Sequence, residues 1–194
     1  SMREIHAGMA AKGSHAVAEY QVESRQLLDP IGILDLEHYR QSVTFTILRT
    51  LADEPGSLTA RADAQAVLTS LKEHLPLHIA DEEEDLFPAL ARHCAGEDEF
   101  ERMRAQLSKE HVTDDALAKL LEADLRILAD GGSLDSHTGF AAKARALAEL
   151  QERHLNWENN TLLPLAEKRL DAEELVKIGR NMAARRGMEY PEGE

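Results

Sequence analysis

Aromatic side chains make up only 4% of the 194 residues, cysteine occurs once, and no apolar run approaches the length of a membrane span. With so few aromatics, a core has to be assembled from Ala, Leu, Ile and Val. The lone Cys94 cannot form an intrachain disulfide, which points to a reducing compartment. No signal-peptide pattern opens the sequence, so the expected location is cytoplasmic. Basic residues are in deficit as well. The 22 Lys and Arg against 36 Asp and Glu leave a formal charge of −14, which repels phosphate backbones and anionic lipid and argues against nucleic-acid or membrane partners. There is no Gly-rich phosphate loop and no nucleophile–base pair. Strict apolar/polar alternation is missing too, which excludes a sheet.

What the chain has instead is apolar residues at steps of three and four almost throughout. The expected fold is all-α: an up-and-down antiparallel four-helix bundle with an N-terminal lead-in and a short fifth helix at the C-terminus. Its length fits one domain, divided as a partly helical lead-in over 1–29, the bundle over 30–187 and a tail over 188–194. The bundle helices are predicted at about Ile31–Asp53, Leu58–His93, Glu97–Asp130 and Ser136–Leu170. Ser57 is a candidate N-cap and Pro76 a candidate kink or break. Asp171 and Glu174 have capping-box spacing for the fifth helix, and Gly187 marks its end.

Polar residues interrupt each apolar stripe near its middle: His38, then His78 with Glu82, then His111, then His154 with Glu158. Residues four apart on a helix differ by about 40° in azimuth and about 6 Å in rise, so each His-x-x-x-Glu pair points at one place. The frame recurs. HIADEEEDLFP begins at His78 and HLNWENNTLLP begins at His154, 76 residues later, each with an apolar pair and a proline after the glutamate. His38 and His111 are each preceded by a glutamate, Glu37 and Glu110, so the whole helix pair is repeated. Buried carboxylates need a positive partner, and no Lys or Arg lies on these stripes, which leaves metal cations. A twofold repeat suggests two metals, bridged by the carboxylates and capped by the imidazoles. Nitrogen and oxygen donors without thiolate suit iron, manganese or zinc, and the histidine content favours iron.

The stretches LDLEHYRQ, HIADEEEDLFP, KEHVTDD and HLNWENNTLLP, spread over about Pro30 to Gly187, resemble the hemerythrin-like family, the HHE cation-binding domains. KIGRNMAARRG is similar to the tail of bacterial members. The resemblance implies a four-helix bundle around a non-haem di-iron centre. It also implies that His38, His78, His111 and His154 are terminal ligands of two Fe ions (Mn or Zn as alternatives), with Glu82 and Glu158 bridging. Oxygen-carrying members have a second histidine on the third helix, four residues from the first. Here Leu107 stands four before His111, so the set is one ligand short.

Water, His74, Asp114 or Asp115 could fill that gap. Glu37 and Glu110 are candidates for orienting the imidazoles, whereas Glu83 and Glu84 are expected to face solvent. His6, His15, His93 and His137 fall outside the repeat and are expected at the surface. The implied partner is dioxygen or another small diatomic or peroxide ligand, and the implied role is ligand binding or the sensing of oxygen, iron or redox state. The alternatives are a di-iron enzyme acting on peroxide, ferrous iron or nitric oxide, and a metal-dependent regulatory module, for which the short C-terminal helix with Arg185 and Arg186 is either the contact surface or merely a bundle cap. No substrate pocket is legible, which weighs against the enzyme.

Overall fold

The computed structural model describes residues 7–8 and 13–191, and among these there is no strand. From residue 13 on, the described residues form six helices: α1 (Ser14–Ala18), α2 (Pro30–Asp53), α3 (residues 60–93), α4 (Phe100–Ala129), α5 (residues 137–169) and α6 (Ala172–Arg185). A short 3₁₀ turn, Ser24–Leu28, joins α1 to α2. Helices α2 to α5 form the bundle, with α2 packed on α3 and α5, and α4 packed on α3 and α5. No helix among the described residues is long and apolar enough to cross a membrane.

Side-chain caps fix three helix starts. Asp29 accepts from Gly32 N at 2.9 Å with Pro30 in the first turn, Ser136 from Gly139 N at 3.1 Å, and Asp171 from Glu174 N at 2.9 Å. Ser57 does not cap α3, which starts later, at Ala60. Likewise α4 starts at Phe100, after a 3₁₀ turn over Gly96–Asp98 and a left-handed Glu99.

Pro76 does not break α3. The helix runs on to His93 through two widened π turns, Ser70–His74 and Asp81–Leu86, and α5 contains a third, Glu158–Leu162. Each π turn ends two residues before a proline: Pro76, Pro88 and Pro164. A proline inside a helix lacks the N–H for its own i−4 bond and clashes with that carbonyl. A wide turn just ahead of the ring relieves both problems. The proline that closes each repeated frame thus comes with a π turn, and Glu82 and Glu158 lie in those turns.

Two apolar clusters fill the bundle. One holds Phe45, Leu48, Leu71, Ala118, Leu121 and Leu147; the other holds Leu34, Leu86, Phe87, Leu107, Leu162 and Met182. The polar residues predicted from the repeat lie between them along the helices.

Helix α6 packs against the Asp81–Leu86 turn. Arg185, its last residue, and Arg186, just after it, turn inward, which fits a bundle cap and not a partner surface. Arg185 and Arg186 both bind Asp81, a fully buried carboxylate, at 2.5 and 2.6 Å, and Arg185 also binds Asp85 at 2.7 Å.

Candidate metal centre

Six side chains from four helices converge in the middle layer: His38 from α2, His78 and Glu82 from α3, His111 from α4, and His154 and Glu158 from α5. None is more than 5% exposed. They form two groups, His38–His78–Glu82–Glu158 and Glu82–His111–His154–Glu158, in each of which one donor atom per residue lies within 4.8 Å of the others. Both glutamates belong to both groups. Glu82 turns Oε1 to Nε2 of His38 and His78, at 3.5 and 3.4 Å, and Oε2 to Nε2 of His111 at 3.2 Å. Glu158 places Oε2 3.1 Å from His38 Nε2 and Oε1 2.8 Å from His154 Nε2. Each carboxylate therefore offers one oxygen to each pair of imidazoles.

Seven of these donor atoms are buried without a hydrogen-bond partner among the described residues: Nε2 of His38, His78 and His111, and all four carboxylate oxygens. Burying that many polar atoms unpaired costs several kcal/mol each for the charged ones. Nitrogen and carboxylate donors, without a thiolate, aimed at two common points, fit iron, manganese or zinc.

The titration behaviour describes the same demand for positive charge. Burial disfavours the His154 cation, but the Glu158 carboxylate outweighs it and pushes the imidazole up to about 10. His38 is likewise driven well above the usual range by Glu158 and Glu82 against the effect of burial. Glu158 itself is held far below the carboxylate range, because His154 and His38 overcome its desolvation. His78 goes the other way, pushed by burial down to about 3. The two glutamates thus favour positive charge on His38 and His154, whereas burial favours the neutral ring of His78.

A family model, the hemerythrin HHE cation binding domain, matches residues 29–166, from the cap of α2 into α5. The chain belongs to the hemerythrin HHE family. A search of curated proteins and a search of solved structures each returned no match. Cation binding is thus the business of this hemerythrin-type bundle, and α6 lies beyond the matched segment.

Behind the imidazoles of this hemerythrin-type site stands a second set of polar groups. Glu110 faces His154 Nδ1 at 2.7 Å. Glu83, expected in solvent, instead faces His111 Nδ1 at 2.7 Å and accepts from Ser108 Oγ at 2.9 Å. The reason is that the side of α3 next to the inner stripe is partly covered by α4, so a residue one step round from Glu82 meets a neighbouring helix as well as water. Glu84 is exposed as expected, and reaches Arg185 at 3.1 Å. Glu37 orients no imidazole; it pairs with Arg40, a buried guanidinium that also donates to Tyr20 O at 2.5 Å. Asn159 Oδ1 lies 2.6 Å from His38 Nδ1. Arg40 and Asn159 escaped the sequence reading, although Asn159 directly follows Glu158 as Glu83 follows Glu82, a parallel the two aligned frames contain.

None of the three side chains considered for the missing ligand belongs to either group of converging donors. Asp114 is fully buried but accepts from Gln151, and burial pushes its carboxyl up to about 7. Asp115 is exposed and pairs with Lys119 at 2.6 Å. His74 is buried, and burial lowers its imidazole to about 4. Of the remaining histidines, His15 faces Asp63 at 2.5 Å, His137 reaches the carbonyl of Ala52 at 2.8 Å, and His93 is partly exposed near Glu174; His6 lies outside the described residues.

Proposed function

We propose that this chain is a non-haem di-iron protein of the hemerythrin type, which binds or senses dioxygen or a related small ligand, or iron and redox state. In this reading His38 and His78 hold one ion, His111 and His154 hold the other, and Glu82 and Glu158 bridge them. The observation that carries it is the division of each glutamate's two oxygens between the two imidazole pairs. Two nitrogens and two oxygens per ion leave coordination positions open for a small molecule. Iron bound there supplies reversible ligand and redox chemistry. The protein's part is to hold the donors in place and to keep bulk water away, with every donor residue at most 5% exposed. Only a small ligand suits so enclosed a place.

A second reading, an enzyme acting on peroxide, is supported by Asp114. This buried carboxyl lies one helical turn from His111, and burial raises it to about 7, so around neutral pH it is divided between the protonated and the ionised form and can exchange a proton there.

Metal analysis of iron-loaded protein tests the proposal: two irons per chain are expected, and near-complete loss in E82Q/E158Q. Unchanged metal content in that double variant overturns the ligand assignment. An absorption band that appears in air and bleaches under argon supports ligand binding, whereas rapid catalytic loss of added hydrogen peroxide supports the enzyme.

A further inference from the structure

The six donors treat the two metal positions alike, each receiving two imidazole nitrogens and one oxygen from each glutamate. The groups behind the imidazoles do not. When Nε2 binds a metal, the ring proton sits on Nδ1, and the acceptor of that proton sets the ring's orientation and its basicity. At the His111–His154 position both acceptors are carboxylates. Glu83 lies 2.7 Å from His111 Nδ1 and Glu110 lies 2.7 Å from His154 Nδ1. Both carboxylates are themselves anchored, Glu83 by Ser108 Oγ at 2.9 Å and Glu110 by Gln106 Nε2 at 2.8 Å. At the His38–His78 position, His38 Nδ1 meets only the neutral amide oxygen of Asn159, and His78 Nδ1 is buried with no partner among the described residues.

The difference can be traced through the internal repeat. Asn159 stands one residue after Glu158, as Glu83 stands one after Glu82, and each reaches a histidine of a neighbouring helix. Glu37 precedes His38 as Glu110 precedes His111, but Arg40 holds Glu37, and the residue two after His111 is Thr113. At one repeat-related position an amide replaces a carboxylate. At the other the carboxylate is diverted to a guanidinium.

We infer that the two positions bind metal unequally: the His111–His154 position holds a resident ion, and the His38–His78 position holds a weaker, exchangeable one. This rests on the two-metal reading above. A supporting acceptor of this kind changes metal affinity by roughly 10- to 100-fold. Glu83 and Glu110 are 30% and 17% exposed, so solvent screening favours the lower end of that range for each. Two such supports set against an amide and nothing give dissociation constants about 100-fold apart. An ion that exchanges beside one that stays suits a chain whose loading follows metal supply.

Stepwise addition of cobalt(II) to metal-free protein, with a chromophoric chelator in competition, tests this. Two steps separated by about 100-fold are expected. E83Q and E110Q should each weaken the first step about 10-fold and leave the second nearly unchanged. N159E, checked for folding by circular dichroism, should strengthen the second step. Two ions bound with equal affinity, or a first step indifferent to both glutamine variants, overturn the inference while leaving the two-metal reading intact. Binding of one ion, or none, overturns that reading and the inference with it.

Discussion

Replacing Arg186 by methionine tests whether α6 is an ionic clamp on the turn that carries Glu82. Asp81, the residue before Glu82, is fully buried and is held from two sides, by Arg185 Nη1 at 2.5 Å and by both terminal nitrogens of Arg186 at 3.1 and 2.6 Å. The Arg186 side chain is 9% exposed, so this pair is not a screened surface contact. Removing one partner of a buried ion pair costs about 3–5 kcal/mol, mostly because the other charge is stranded. Arg185 still faces Asp81 in the variant, which places the expected loss near the lower end, about 3 kcal/mol. For a chain of this length that corresponds to a fall of about 6–12 °C in melting temperature. Urea unfolding followed by circular dichroism gives the free energy directly. The decisive comparison is R186M against R186M/D81N, since an amide at position 81 needs no cation and should recover most of the loss. A fall smaller than about 2 °C in R186M, or no recovery in the double variant, refutes the clamp.

Metal removal should be felt as lost stability. At free metal about 1,000 times the dissociation constant each ion contributes about 4 kcal/mol, so chelation should lower the melting temperature and iron should restore it; a midpoint indifferent to both would refute a site in the core. In metal-free protein D114N should show a pH-dependent gain. The folded-state carboxyl of Asp114 is raised to about 7 from 3.8, so the native state holds a proton that the unfolded chain has released, and stability falls as pH rises between those values. The variant should therefore match the wild type near pH 4 and exceed it by up to roughly 4 kcal/mol at pH 8, and parallel pH profiles in urea would refute this. Gly179→Ala should destabilise, because a Cβ there would lie 2.4 Å from Leu27 O and 2.8 Å from the Tyr190 ring. A loss of about 1–3 kcal/mol in chemical unfolding is expected, and an unchanged midpoint would show that α6 has room to shift.

The helices and the converging residues were legible because both depend on local spacing. Steps of three and four gave the stripes, Ser136 and Asp171 gave two helix starts, and His-x-x-x-Glu gave pairs that necessarily share a face. Pro76, by contrast, promised a kink and delivered a widened turn, because proline's local cost can be met either way and the surrounding helix decides which. The orienting groups were hidden for a different reason. Whether Glu83 faces only water or also His111, and whether Glu37 meets an imidazole or Arg40, depends on what the neighbouring helix and the lead-in place beside them. No periodicity within one helix carries that information.

The repeat and the departures from it act at separate levels of the site. Where the two helix pairs agree, at the histidines and the two glutamates common to both groups, they bring together donors that could hold cations. Where they disagree, the residues involved touch no common donor point. Asn159 stands for Glu83, Arg40 diverts Glu37, and Trp157 and Thr161 occupy the places that Asp81 and Asp85 hold in the other half, so α6 can be anchored on only one of the two glutamate-bearing turns. A charge or hydrogen bond moved at these positions changes how firmly a ligand is held without removing it, and effects of that kind on metal affinity are typically 10- to 100-fold. Substitutions there should therefore retune one metal position at a time, whereas a substitution at Glu82 or Glu158, each shared by both groups, must disturb the two together.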